Sequence, residues 1–395
     1  MIIGVVKESN PGEKRVALVP GVLGPLLKAG HQVLIESGSG LSAGFRDRQY
    51  EEKKANILTD RREVFSRAEV VCQVRTLGSN PELGRADLEL MHENQAVVGL
   101  AEPLTAIEPT RAMADRGLRL FAMELMPRIT RAQSMDALSS QATMQGYKAV
   151  LLAAVTLGKM FPMMMTAAGT IAPARVFIIG AGVAGLQAIA TAKRNGAVVT
   201  AYDVRPAVKE QVESLGAKFL EIGLETKGSE DRGGYAKAMD DAFYRRQQEA
   251  MHAAVAESDV VITTAAVPGK KSPVLVTADM VAKMRPGSVI VDLAAERGGN
   301  CELTRADETV IKHGVTILGP TNLPATVPHD ASLMYGKNVA TFLLHLLKDG
   351  KLNLDMSDEI IEQTLLTNNG SIVHRRVREI FGLDEAPVGA TQRSV

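Results

Sequence analysis

Apolar and polar positions alternate along this chain in a pattern typical of an α/β protein. Short runs rich in valine and isoleucine are separated by stretches of helical character rich in alanine and leucine. Such a pattern predicts parallel sheets covered by helices. Strands are predicted in the N-terminal portion at Ile2–Val6, His31–Glu36, Val70–Val74, Ala96–Leu100 and Leu118–Met123, and further along at Arg175–Ile179, Val198–Tyr202, Val260–Thr263, Val289–Asp292 and Val315–Leu318.

Two long helical patterns connect these portions of the chain. One runs from Asp136 to Met165 without a strand signal, and the other runs from Ala331 to Leu347 after the last strand. We therefore expect two Rossmann-like doubly wound parallel-sheet domains joined by long helices. The first domain is expected to be discontinuous, with residues 1–136 and 328–395, and the second to comprise residues 137–327. A polar, glycine-containing segment from Glu221 to Met251 is typical of a lid or binding loop.

Composition excludes several classes of protein. The chain has 395 residues, enough for two domains, and its 45 basic residues balance its 45 acidic ones, so no basic field would attract nucleic acid. The two cysteines are far apart, and no histidine has neighbours at a metal-ligand spacing. No secretory signal is recognisable, and the most apolar stretch is interrupted by Lys159 and Pro162. We expect a cytoplasmic chain that is soluble by itself.

The strongest motif is a glycine-rich turn, Gly180-Ala181-Gly182-Val183-Ala184-Gly185, placed between a predicted strand and a predicted helix. Asp203 ends the next strand, about 20 residues further on. This context predicts a dinucleotide site. Gly180 would permit the tight turn, Gly182 the approach of the pyrophosphate, and Gly185 the packing of helix on strand.

Asp203 bears on the choice of cofactor. A carboxylate accepts hydrogen bonds from a ribose 2′-hydroxyl and repels a 2′-phosphate, which favours NAD over NADP. Arg205 weakens this inference because an arginine at that position could bind a phosphate. A plain surface charge beside Pro206 is an equally open interpretation of Arg205.

A second polar cluster lies in the segment Pro127–Gln141, PRITRAQSMDALSSQ. Composition alone favours the start of a helix, capped by Asp136 or Ser134, with the other polar side chains in solvent.

With these motifs the chain resembles the NAD(H)-binding component of the proton-translocating transhydrogenases, a family that shares its fold with alanine dehydrogenase. The resemblance covers nearly the whole chain, from VVKESNPGEKRVALVP through GAGVAGLQAIATAKRNGA to LAAERGGN. The segment from Arg128 to Gln141 resembles the loop of that family that contains Arg, Gln and Asp. The resemblance implies that this loop lies over the nicotinamide end of NAD(H) and faces NADP(H) on a partner, with Arg128, Gln133 and Asp136 as its named residues and Ile129 and Ser139 as further contacts.

The resemblance also implies a mobile loop at Gly234–Met239 that closes over the nucleotide through Tyr235 and Met239. Without the resemblance, a flexible surface loop with an exposed tyrosine would be the better interpretation. The implied catalytic residues are Arg128, Gln133, Asp136 and Tyr235. The implied cofactor contacts outside the Arg128 loop are Gly180, Gly182, Val183, Ala184, Gly185, Asp203, Val204, Arg205, Gly234, Tyr235, Met239, Gln247 and Ala266.

An NAD-dependent alanine dehydrogenase is the main alternative. Arg15 matches the arginine that holds the substrate carboxylate in that family. The lysine of the alanine dehydrogenases corresponds to Arg75 in this chain, their catalytic histidine to Ala101, and their catalytic aspartate to Glu296. Oxidation of an amino acid needs a base, and neither Ala101 nor an always-charged arginine can act as one. Hydride exchange between two nicotinamides needs no base, so the transhydrogenase is favoured; a nucleotide-sensing module without chemistry is a third alternative.

The resemblance implies a Re/Si-specific, proton-translocating NAD(P) transhydrogenase. NAD(H) would bind to this chain and NADP(H) to a partner subunit, and the membrane-spanning subunits would carry the proton movement. The chain would be a homodimer, peripheral on the cytoplasmic face of the inner membrane.

Overall fold

The computed structural model describes residues 1–221 and 241–383. The chain divides into two compact units, the first formed by residues 1–140 and the chain from residue 327 onward, the second by residues 141–326. The first unit is thus discontinuous in sequence, as expected.

The first unit contains a six-stranded parallel sheet with the strand order β3-β2-β1-β4-β5-β6. Because β1 pairs with both β2 and β4, the strand order reverses there, and the carboxyl ends of these strands form the crevice where doubly wound sheets bind ligands. The strands are β1 (Ile2–Val5), β2 (Gln32–Glu36), β3 (Asn56–Leu58), β4 (Val70–Arg75), β5 (Ala96–Leu100) and β6 (Arg119–Ala122), and the helices are α1 (Leu23–Lys28), α2 (Asp47–Glu51), α3 (Arg61–Arg67), α4 (Gly84–Leu90) and α5 (Ile107–Asp115).

Alternate residues of these strands face two different apolar cores. On β2, Val33 and Ile35 point into one core, whereas Leu34 points into the other, and all three are fully buried. Burial on both faces explains why the strands are continuous apolar runs. Each such side chain contributes about 1.5–3 kcal/mol of apolar burial.

The long helix expected from Asp136 to Met165 is shorter than predicted. It is α6, Ala137–Thr156, and Gly158 and Pro162 follow its end. The run Met163–Met165, which a helix would have carried into the core, instead enters an exposed antiparallel hairpin of β7 (Met164–Thr166) and β8 (Gly169–Ile171).

The second unit has a seven-stranded sheet with the order β11-β10-β9-β12-β13-β15-β14, parallel except for β14. The five strands predicted from the sequence are present, and the order reverses at β9, between β10 and β12. The strands are β9 (Arg175–Ile179), β10 (Val198–Tyr202), β11 (Lys218–Phe219), β12 (Val260–Thr263), β13 (Val289–Asp292), β14 (Thr309–Lys312) and β15 (Val315–Leu318), and the helices are α7 (Val183–Arg194), α8 (Lys209–Ser214), α9 (Asp241–Ala256) and α10 (Ala278–Lys283).

A portion of the segment expected to be a lid or binding loop is helical. Residues 241–256 form α9, whose Met251 and Val255 are buried against the second sheet. This apolar face was not recognised in the sequence because polar residues surround it. Residues 222–240 lie outside the described portion of the chain.

The chain then returns to the first unit through α11 (Pro328–Leu346). Its Phe342 packs edge-on against Phe121 of β6, with ring centroids 5.7 Å apart, and its Tyr335 hydroxyl donates to the carbonyl of Gln73, 2.9 Å away. The remaining elements are β16 (Leu347–Lys348), β17 (Lys351–Leu352), α12 (Glu359–Thr364), β18 (Thr367–Asn368), β19 (Ser371–Ile372) and α13 (Arg375–Ile380).

Charged groups are buried at the carboxyl edge of the first sheet. Glu13 accepts two hydrogen bonds from the Arg15 guanidinium, at 2.8 and 2.7 Å, and a third from Arg75 Nε at 3.2 Å. Nearby, the carboxylate of Glu8 accepts from the backbone N–H groups of Val74 and Arg75. Burial, reinforced by the charge of Glu13, raises the pKa of Glu8 to about 8.

Glu124 is a second buried acid at this edge. Its Oε1 accepts from the backbone N–H groups of Ala101 and Glu102, at 2.6 and 2.8 Å, while its buried Oε2 has no partner among the described residues. Burial, with the charge of Glu102, raises the pKa of Glu124 to about 7. A buried carboxylate with one oxygen lacking a hydrogen-bond partner is costly to ionise, which favours the protonated form.

We expect the pH dependence of stability to report Glu124. Its pKa in the folded chain, about 7, lies above the ordinary value of 4.5, so the folded state holds more protons between these values. Ionisation of Glu124 should therefore lower the free energy of unfolding by about 1.4 kcal/mol per pH unit as pH rises through this window, in addition to the contribution of Glu8, whose pKa of about 8 extends the fall to higher pH. Glu124→Gln, which never ionises, should lose less stability between pH 5 and pH 8 in urea titrations.

The control is Glu108→Gln, because the side chain of Glu108 is 71% exposed and forms a surface ion pair with Arg111. It should retain the pH slope of the unmodified chain. An unchanged slope in Glu124→Gln would contradict the assignment.

Candidate functional site

The glycine-rich turn follows β9, at the point where the order of the second sheet reverses. The N–H of Gly180 donates to the carbonyl of Tyr202, 2.8 Å away, and Gly180 has a φ of +97°. A Cβ at this position would lie 2.5 Å from Thr264 Oγ1. Both the backbone conformation and the close approach of the chain after β12 therefore require glycine here.

The other two glycines of the motif have opposite surroundings. A Cβ on Gly185 would lie 1.9 Å from the carbonyl oxygen of Gly180, so this glycine lets α7 pack onto the turn. Among the described residues, a Cβ on Gly182 would meet only Arg205 Nη2, 3.9 Å away. The described residues thus leave room beside the backbone at Gly182, which a pyrophosphate would need in order to approach it.

The beginning of α7 is suited to an anion. In the part of the chain that the structure describes, no side chain caps the helix at Gly182, and the first-turn N–H groups of an α-helix have no intrahelical acceptors. These groups and the positive end of the helix dipole favour a phosphate. Val183 is exposed on this turn, whereas the carbonyl of Ala184 faces α6, where a Cβ on Gly146 would lie 2.1 Å from it.

Asp203 is buried and heavily hydrogen-bonded. Its Oδ1 accepts from Arg205 Nε at 2.9 Å and from the Arg205 N–H at 2.8 Å, and its Oδ2 accepts from Arg205 Nη2 at 2.9 Å and from the Ala181 N–H at 2.7 Å. Asp203 thus ties the glycine turn to the end of β10. The guanidinium of Arg205 donates two hydrogen bonds to this carboxylate and lies beside Gly182. This contact does not decide whether Arg205 binds a phosphate or is a plain surface charge.

Gln247 of α9 is fully buried next to β10. Its Nε2 donates to the Tyr202 hydroxyl, 2.9 Å away, while its Oε1 has no hydrogen-bond partner among the described residues. Among the other expected contacts, Val204 is half-buried against the apolar core and Ala266 is exposed in the segment after β12. The second unit therefore brings together the glycine turn, Asp203, Val204 and Arg205.

Sequence reasoning missed a buried network that shapes this site. The carboxylate of Asp292, at the end of β13, accepts from the Thr263 and Thr304 hydroxyls and from the N–H groups of Asn300 and Cys301. Asn300 in turn accepts from the Ala265 N–H at 3.0 Å and donates to the Ala265 carbonyl at 2.8 Å. The network holds the segment after β12 against Gly180; a lone Asp at the end of an apolar strand was its only sequence signal.

In the first unit, the segment after β6 forms a 3-10 turn, Thr130–Met135, that leads into α6. Its Ala132 and Met135 are buried, whereas Arg128 and Gln133 are exposed and Ile129 is half-buried. The turn therefore presents polar side chains outward from a backbone anchored by apolar ones.

Asp136 caps α6. Its carboxylate accepts from the Ser139 N–H at 2.8 Å and from the Ser139 hydroxyl at 2.6 Å. The helix start predicted from composition is thus present, with Asp136 rather than Ser134 as the cap. Ser139, expected to contact the nucleotide, lies on the first turn of α6 beside it. The other expected residues, Gly234, Tyr235 and Met239, lie outside the described residues.

The positions that would serve a dehydrogenase are occupied by other interactions. Arg15 and Arg75 both pair with Glu13, and Ala101 is buried, with its N–H donating to Glu124. Glu296 is exposed in a turn after β13. In the described residues no group of three metal-ligating side chains is present, and no helix there is long and apolar enough to cross a membrane.

Comparisons with known proteins agree with this geometry. Residues 4–145 match the family described as alanine dehydrogenase/PNT, N-terminal domain, and residues 149–375 match its C-terminal domain. The chain is 48% identical to the first component of NAD(P) transhydrogenase subunit alpha from Rhodospirillum rubrum, over 95% of this chain and 98% of that protein.

Two solved structures are similar over almost the whole chain. A transhydrogenase from Sinorhizobium meliloti has a TM-score of 0.81 and 41% identity, and the match covers 95% of this chain and 100% of that one. An L-alanine dehydrogenase has a TM-score of 0.80 and 27% identity, with 97% and 99% covered. The greater identity is with the transhydrogenases. On its fold, its glycine turn and both matched domains, the chain belongs to the alanine dehydrogenase/PNT family.

Proposed function

We propose that this chain is the NAD(H)-binding subunit of a proton-translocating transhydrogenase and exchanges hydride between NAD(H) and NADP(H) on a partner subunit. One observation supports this proposal above all. The glycine turn suits a dinucleotide, whereas the position expected for the base of a dehydrogenase is an alanine. The open face at Gly182 suits a pyrophosphate. In the first unit, the side chain of Ala101 cannot accept a proton, and Arg15 is paired with Glu13.

The second unit would bind the nucleotide through its backbone. The first-turn N–H groups of α7 would hold the pyrophosphate, with Gly182 allowing the approach and Val183 and Ala184 supplying the turn. Asp203, Val204 and Arg205 would contact the adenosine ribose, with NAD preferred over NADP. Gln247 and Ala266 would line the same edge, and the buried Oε1 of Gln247 is an acceptor that a ligand hydroxyl could satisfy.

The contribution of the chain to catalysis would be positioning. When bound, NAD(H) supplies or accepts the hydride at its nicotinamide ring. Arg128, Gln133 and Asp136 would orient that ring and its ribose, with Ile129 and Ser139 as neighbouring contacts, and Tyr235 and Met239 of the Gly234 loop would exclude water. No proton is moved by the chain at the reacting carbons, which agrees with the absence of a base at Ala101.

The remaining steps of the activity would reside on other subunits. Membrane-spanning subunits would translocate protons and carry the NADP(H)-binding domain, and the reaction would have Re/Si stereospecificity. This chain would lie on the cytoplasmic face of the inner membrane when assembled.

We further propose that the chain is a homodimer through the β7–β8 hairpin. Met163 and Met165 on this hairpin are 61% and 75% exposed, and the hairpin forms a two-stranded sheet of its own. An isolated hairpin is marginally stable in water, and exposed apolar side chains favour association. A second copy of the chain would cover both.

Gly182→Ala should weaken NADH binding at least tenfold without unfolding the chain. The added methyl group fits the unliganded turn but occupies the space that the pyrophosphate needs. The dissociation constant follows from NADH fluorescence, and folding from thermal unfolding. Gly24→Ala, where no described atom lies within 4 Å of the added Cβ, is the matched control and should bind normally. Unchanged affinity in Gly182→Ala would place the pyrophosphate elsewhere.

Gln133→Ala should slow hydride transfer far more than it weakens NADH binding, because an orienting residue acts on the geometry of the reacting ring. Transfer is followed in a stopped-flow mixture of this chain, NADH and a partner domain loaded with an NADP analogue. Gln32→Ala, exposed at the beginning of β2, is the control. Equal losses in rate and affinity would refute the orienting role.

Met165→Asp should weaken dimerisation at least tenfold, because the interface would then bury an unpaired carboxylate. Light scattering coupled to gel filtration, over a range of protein concentrations, measures the effect. Leu41→Asp changes another exposed apolar residue, in the first unit, and should leave the dimer intact. A monomeric unmodified chain would refute the proposal.

A further inference from the structure

We propose that Asn338 of α11 is a positioning residue that holds the Arg128–Ser140 segment in the geometry needed for hydride transfer. The inference rests on the proposed function, because it assigns to α11 a role in the reaction of that segment.

The contacts of Asn338 join the end of the 3-10 turn to the first turn of α6. Its Nδ2 donates to the carbonyl of Ser134 at 2.8 Å, and its Oδ1 accepts from the Ser140 hydroxyl at 2.7 Å. Because a carbonyl oxygen can only accept, the amide has one orientation that satisfies both partners. Asn338 is 7% exposed, so water cannot readily replace either bond.

A second contact holds the same turn from the C-terminal segment. Arg131 forms a two-bond fork on Asp358, with Nη2 to Oδ1 at 2.8 Å and Nη1 to Oδ2 at 3.3 Å. Asp358 is itself fixed, since its Oδ1 caps α12 through the Ile360 N–H at 2.9 Å, and His345 Nε2 lies 2.8 Å from its Oδ2.

These anchors flank Gln133. The side chain of Arg131 is held two residues before it, and the carbonyl of Ser134 is held directly after it. Gln133 itself is exposed, so packing does not set its direction, and its position depends on the backbone that Asn338 and Asp358 hold. Small displacements of an orienting group cost large factors in rate.

The glycine turn makes none of these contacts, so loss of Asn338 should separate rate from affinity. In Asn338→Ala we expect hydride transfer to fall at least tenfold, with the NADH dissociation constant unchanged within twofold. In the nucleotide-free chain, amide hydrogen exchange of residues 130–140 should become at least fivefold faster, while that of α7 should not change.

Three further variants sharpen the test. Asn338→Asp keeps the acceptor for Ser140 but turns a carboxylate toward the Ser134 carbonyl, so it should behave as Asn338→Ala does. Arg131→Gln removes the ion pair with Asp358 at a half-exposed position, and it replaces the Asn338 variants in the same measurements if those variants fail to fold. Arg111→Gln removes a comparable surface ion pair with Glu108 and is the matched control.

A double variant tests whether Asn338 acts through Gln133. In the Gln133→Ala background, Asn338→Ala should cause less than a twofold further loss of rate, because both changes remove the same orientation. The proposal would be overturned if the rate losses of the two single variants multiplied in the double variant. Three results with Asn338→Ala would also overturn it. They are unchanged amide hydrogen exchange of residues 130–140, faster exchange with no loss of the hydride-transfer rate, and equal losses of the hydride-transfer rate and of NADH affinity.

Failure of the proposed function would look different. The unmodified chain would then bind no NADH, or Gln133→Ala would leave hydride transfer unchanged. The exchange measurement needs neither nucleotide nor partner, so it still decides whether Asn338 holds this segment.

Discussion

The close approach of α7 to the turn after β9 is the constraint on which the nucleotide site depends. A hydrogen atom is all that fits between Gly185 and the carbonyl of Gly180, and Gly180 itself lies against Thr264. Because Gly185 meets the turn backbone to backbone, this contact fixes where the first N–H groups of α7 point. Asp203 and the Asp292–Asn300 network then hold the flanking strand ends to the same turn. The site is thus built mainly from main-chain geometry, which a nucleotide of fixed shape can use.

In both units, charged side chains are paired inside the protein or held in their protonated form. Glu13 holds Arg15 and Arg75, Asp203 holds Arg205, and burial favours the protonated form of Glu124. In the first unit both arginines are paired with Glu13, and Ala101, the position expected for the base of a dehydrogenase, carries no ionisable group. A chain arranged in this way is suited to bind and orient a nucleotide rather than to oxidise an amino acid.

Local patterns in the sequence predicted much of this fold. The β9–α7 turn could be predicted because strand, glycines and helix are adjacent in the chain, and the buried strands because both of their faces are apolar. The end of α6 was misjudged, since methionines have high helix propensity but the helix ends before Gly158 and Pro162. The helix α9 was missed because its apolar face is diluted by polar residues. The contacts of Asn338 with Ser134, 204 residues away, and of Glu13 with Arg75 have no local signal.

We propose that this chain passes hydride to a second nucleotide and not to an amino acid. The direct measurement is the single-turnover rate of NADH oxidation by this chain mixed with an NADP-binding partner domain, compared with NADH oxidation by the chain alone with pyruvate and ammonia. Our account predicts rapid oxidation only with the partner and its nucleotide. Pyruvate-dependent turnover by the chain alone, with no transfer to the partner, would contradict it.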